Sequence, residues 1–103
     1  MNTAARRDGG IRVRTDEVGR PMEVQLEAGQ LHRSAEALGA DILALCRIAG
    51  TRAQVARRAE LAAAGVDAVM LAELGLPTRD RLADLESRFD DDDDEVGSWM
   101  QAP

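Results

Sequence analysis

The chain has 103 residues, enough for one small domain with tails, and its core is small enough for a partner or second copy to add stability. Its charge is −6 and its cations are thirteen arginines with no lysine; residues 90–95 hold six of the acids, so the rest balances thirteen acids against thirteen arginines. An acidic chain is a poor default binder of polyanions, one cysteine excludes an internal disulfide, and one histidine with one cysteine cannot build a structural zinc site.

Residues 1–9, "MNTAARRDGG" up to its first glycine, are polar and lack the apolar stretch of a secretory signal, so they read as a disordered lead-in to a cytoplasmic protein. The single domain is expected over residues 10–89. It opens with a β-hairpin. Ile11, Val13 and Thr15 alternate with Arg12 and Arg14, and Met22, Val24 and Leu26 alternate with Glu23, Gln25 and Glu27. Gly19 suits the left-handed position of the connecting loop, and Pro21 favours an edge strand or a bulge. Across the outward face, arginines of the first strand oppose glutamates of the second.

A long amphipathic helix follows, with Ser34 as N-cap, Glu36 in its first turn and Gly65 as its stop. At about 100° per residue, Leu38, Ile42, Leu45, Ala49, Ala56 and Ala63 form one stripe, while Arg33, Arg47 and Arg58 gather opposite. Gly50 marks a candidate kink. Asp67 caps a short helix that Gly75 ends, and Thr78 caps a last helix whose stripe is Leu82, Leu85 and Phe89. The order predicts an α+β fold: an N-terminal antiparallel hairpin, a long amphipathic helix and shorter C-terminal helices. A lone hairpin leaves two open sheet edges, so a homodimer joined through sheet or helices is the economical completion.

No residue set points to catalysis. His32 precedes the long helix beside Arg33 and Ser34 without an orienting group, and Cys46 lies near the buried stripe as an inert thiol. No cofactor or metal is expected, and no apolar run is long enough to cross a membrane. The aspartate block over 90–94 is continuous, unlike a calcium loop, and reads with the rest of 90–103 as a disordered acidic tail. Within it, Val96, Trp99 and Met100 make a candidate partner-docking motif. Arg12, Arg14, Arg20, Arg47 and Arg58 are the candidate contacts if the ligand is DNA, with the tail as their competitor.

The stretch "GIRVRTDEVGRPMEVQLEAG" followed by an Ala/Leu/Arg helix resembles the YbaB/EbfC family. It is most similar to the actinobacterial EspD/EspH-like proteins associated with ESX (type VII) secretion. The likeness is carried by Gly19-Arg20, Val24-Gln25-Leu26, Leu38, Ile42-Leu43 and Ala53. Further on it is carried by Leu76-Pro77-Thr78 and the acidic helix and end up to Asp94. The resemblance implies a YbaB-like dimer, no catalytic residues, and a protein-binding adaptor role in type VII secretion, with export by that route as an option. Its wider family implies the alternative, a nucleoid-associated DNA binder.

Overall fold

The computed structural model describes residues 2–101, with side chains through Asp90. The fold is α+β. Strands β1 (Asn2–Ala5), β2 (Ile11–Thr15) and β3 (Pro21–Leu26) form an antiparallel sheet in that order. A 3-10 turn at Ala28–His32 leads to helix α1 (Ala35–Ala63), then α2 (Ala68–Glu73) and α3 (Arg79–Gln101).

The hairpin takes the register its alternation requires, pairing Ile11 with Leu26, Val13 with Val24 and Arg14 with Glu23. Between Arg14 and Thr15 the register shifts by a bulge next to Pro21, and β3 is an edge strand, so both preferences of that proline are met. The connecting turn is fastened by Asp16, whose carboxylate accepts from the Val18 and Arg20 amides at 3.0 and 2.9 Å. Gly19 within it has φ +88°, the left-handed conformation anticipated for it.

The first residues depart from expectation. Asn2–Ala5 are a third strand, with Ala4 opposite Val13 and buried beneath α1. Its side chains are too small and polar to show a period-2 pattern, yet their smallness lets the helix approach. The turn behind it is built by Asp8, which accepts the Gly10 amide at 2.8 Å, and by Gly9 at φ +76°.

Ser34 accepts the Ala37 amide at 3.1 Å, Asp67 that of Met70 at 2.8 Å and Thr78 that of Arg81 at 3.2 Å, so all three expected caps form. One face of α1 lies on β1 and β2. The core is Ala4, Ile11, Val13, Leu45, Cys46, Ile48 and Ala49, with Leu38, Ile42, Leu82, Leu85 and Phe89 packed around it. Ala56 and Ala63, expected on the buried stripe, are exposed. A 29-residue helix is about 44 Å long and six-residue strands only about 20 Å, so the second half of α1 overhangs the sheet. There α2 folds back, with Leu71 buried. The last helix continues to Gln101, past the boundary expected at Phe89; the side chains of its final stretch lie outside the described residues.

Gly50 does not break α1. It is buried where the hairpin turn crosses the helix, and a Cβ there would lie 2.7 Å from the Gly19 Cα and 2.8 Å from its nitrogen. Gly50→Val must push the turn off the helix. We expect a loss of about 1–3 kcal/mol and a fall in Tm on the order of 10 °C by calorimetry. Gly39→Ala, where nothing lies near the added carbon, should raise Tm slightly.

Candidate functional site

Among the described residues, two surfaces stand out once the core is formed. The first is the sheet face turned away from α1. By register it gathers Thr3 and Ala5 of β1, Arg12 and Arg14 of β2, and Glu23 and Gln25 of β3. Arg14 meets Glu23 at 3.2 Å, the cross-strand pair expected from the alternation, and the Gln25 amide donates to Glu23 at 2.7 Å. With Arg7, Gly9 and Arg52, these residues line an open concavity of about 600 Å³. Arg7 pairs with Asp90 at 3.4 Å. Arg52 donates to the Thr3 carbonyl at 3.0 Å and lies 3.5 Å from Glu86. The concavity is therefore cationic, and Glu86 and Asp90 of α3 border it.

The second surface is β3. Every one of its residues is exposed. The Glu27 amide donates to the Gly10 carbonyl at 2.9 Å, which fixes the phase of the ladder. Backbone groups of Glu27, Gln25 and Glu23 point to β2, and those of Val24 and Leu26 point outward, away from any strand. The side chains on the helix side of β3 lack full cover because α1 sits over its neighbours. Met22 is 63% exposed, Val24 and Leu26 38% each. Leu43, 67% exposed, lies on the same flank of α1 as Gly50, the flank that meets the β2–β3 turn.

Of the five candidate arginines, the structure brings Arg12 and Arg14 together. Arg20 is held in the hairpin turn by Asp16 at 2.8 Å, and half-buried Arg58 ties α1 to the segment before α3 by donating to the Leu76 carbonyl at 2.8 Å. Arg47 stands exposed on α1. These three belong to other surfaces. The side chains of Val96, Trp99 and Met100 lie outside the described residues. Arg7 was missed by sequence reading; the Asp8-Gly9 turn that carries it toward the sheet face was the available signal.

His32 is exposed, Ser34 is occupied as a cap, and burial pushes the Cys46 thiol up. Among the described residues no group of His, Cys, Asp or Glu is placed to hold a metal, and no helix is long and apolar enough to cross a membrane. A tight ionic cluster lies at the start of α1, where Asp41 pairs with Arg6 and, at 2.8 Å, with Arg33. Comparison with protein-family models, curated proteins and solved structures found no match to this chain.

Both turn carboxylates are held below their ordinary value. The Gly10 amide does this for Asp8, with partial burial opposing and Arg6 assisting. The Arg20 amide does it for Asp16, again against partial desolvation, with the Val18 amide and the Arg20 guanidinium assisting. A depressed folded-state pKa means that the ionised form stabilises the turn at pH above the ordinary 3.8, and that this contribution is lost as pH falls through the folded value. NMR titration should show the Val18 and Arg20 amides shifting with a common midpoint below 3.8, and Asp16→Ala should abolish that shared titration.

Proposed function

We propose that this chain is a non-enzymatic binding protein whose ligands are polypeptides, a second copy of itself and a partner protein. The observation that carries this reading is β3: an exposed strand with outward backbone groups at Val24 and Leu26, flanked by the apolar side chains of Met22, Val24, Leu26 and Leu43. An added strand or apolar segment satisfies both kinds of group at once. The resemblance to the EspD/EspH-like accessories gives the partner a setting, as a component or substrate of type VII secretion, and makes cytoplasm the working compartment.

Affinity purification from the native cell, followed by reconstitution from purified components, should yield one defined protein partner. Its binding should persist at raised salt and weaken with Leu43→Asp. Recovery of chromosomal DNA alone would overturn the proposal.

A second reading has one specific support. Arg12 and Arg14 lie in a concavity completed by Arg7 and Arg52, while Asp90 and Glu86 of α3 contact the latter two. Such a surface suits a phosphate backbone, with the acidic helix as its internal competitor. This reading predicts retardation of duplex DNA with a steep salt dependence. It also predicts weakening by Arg12→Ala and Arg14→Ala on every sequence, and strengthening on removal of residues 90–103, which takes away the Asp90 contact to Arg7. Absence of any shift at low salt with the shortened chain would eliminate it.

A further inference from the structure

We propose that the occupant of β3 is β3 of a second copy, paired antiparallel about a twofold axis at Val24 to give a six-stranded sheet. This deepens the reading that β3 takes a polypeptide and rests on it. Backbone phase, side-chain face and charge each bear on the pairing.

Phase permits the pairing. The Glu27-to-Gly10 bond places the amide and carbonyl of Val24 on the open side of the strand, so Val24 of one copy can donate to and accept from Val24 of the other. Pro21 does not obstruct it. It lies opposite Thr15 at the beginning of the strand, where Met22 is the bulged residue without a partner on β2, and outside the regular Glu23–Leu26 ladder.

Face restricts the symmetry. An axis perpendicular to the sheet keeps both α1 helices on one side and both arginine faces on the other. Residues directly opposite must then share a face; with the axis at Val24, Val24 opposes Val24 and Met22 lies across from Leu26 of the other copy. These are the side chains that α1 leaves uncovered, at 63% for Met22 and 38% for Val24 and Leu26. Leu43 of each copy flanks the joined strands.

Charge selects the register. An axis at Glu23 sets that carboxylate against its own symmetry mate, and an axis at Gln25 sets Glu23 against Glu27 of the other copy twice. Of these three, the axis at Val24 places no like charges opposite. Glu23 then faces Gln25 of the other copy, whose amide is a donor to a carboxylate; within one chain it already donates to Glu23 at 2.7 Å. The segment Met22-Glu23-Val24-Gln25-Leu26 is palindromic in character, with apolar ends and centre and an acceptor matched to a donor. Such a strand complements itself.

The test is mass and dissociation constant by analytical ultracentrifugation on the full chain. The wild type should sediment at twice 11.1 kDa. Val24→Pro removes an amide that makes no bond to β2, so it should give a monomer with an unchanged circular dichroism spectrum. Gln25→Glu sets acid against acid at two symmetric places and should weaken the dimer about fivefold, while Gln25→Lys should tighten it by a similar factor. If Val24→Pro fails to fold, the opposed response of the two Gln25 variants decides the register. A wild type that stays monomeric, a Val24→Pro dimer, or Gln25 variants that respond alike would each overturn the proposal. A monomer whose β3 binds the reconstituted partner protein, with binding lost in Val24→Pro, would overturn the dimer and leave the polypeptide-binding reading standing. A monomer that binds neither would remove both.

Discussion

The backbone contact between Gly19 and Gly50 sets the relation of helix to sheet. No side chain separates the hairpin turn from α1 there, so the helix comes closer than any larger residue allows. The other end of the contact is ionic: Asp41 joins Arg6, just after β1, to Arg33, just before α1. Between these two fixed points the helix presents Leu45, Cys46 and Ala49 to Ile11 and Val13. Held this way, α1 runs over β1 and β2, and β3 falls outside its cover. The exposed strand is a consequence of the closest contact in the fold.

Features set by nearest neighbours in sequence were legible before the structure. The hairpin register follows from alternation, and the caps at Ser34, Asp67 and Thr78 follow from one side chain reaching an amide three residues on. Pro21 announced an edge and a bulge because a residue without an amide has few other places in a sheet. What escaped depended on distant matching. The Asn2–Ala5 strand carries no pattern of its own and exists because β2 has a second edge to pair. The alanine stripe of α1 continues past the sheet because periodicity records which face is apolar and not how long the partner surface is. Gly50 looked like a weak point in a helix, since the turn that needs its missing Cβ is some thirty residues away in sequence.

The site was half legible for the same reason. Arg12 and Arg14 share a face by strand period alone, but Arg20 is held in the turn by Asp16 and Arg47 and Arg58 lie on helix faces that no local spacing aligns with the sheet. Arg7 and Arg52 come to the same concavity from a turn and a helix, which no spacing rule relates. The formal excess of acid lies on the continuation of α3, and α3 runs back beside α1 toward the β1 side of the sheet, where Glu86 and Asp90 meet Arg52 and Arg7. The chain therefore brings its own anions to the rim of its arginine face. A polyanion must compete with them, and salt screens both the internal pairs and the attraction of the polyanion. The described acids of α3 that make these contacts, Glu86 and Asp90, sit on the β1 side, and β3 is the opposite edge.

The two edges of the sheet are treated differently, and this difference bears most directly on function. At β1 the outward carbonyl of Thr3 accepts from Arg52, and Phe89 packs against the core beside Ala4, so that edge is closed by helices of its own chain. At β3, among the described residues, the outward groups of Val24 and Leu26 meet no helix, and the apolar row beside them is open. Proteins generally blunt an open edge with charge, proline or a bulge. Here the proline and the bulge lie together at the start of the strand, leaving its centre flat and uncharged on the helix side. They shorten the edge to one brief segment without closing it. An edge limited in this way excludes indefinite strand addition while admitting a single short partner strand, which is the constraint that a closed twofold pair satisfies.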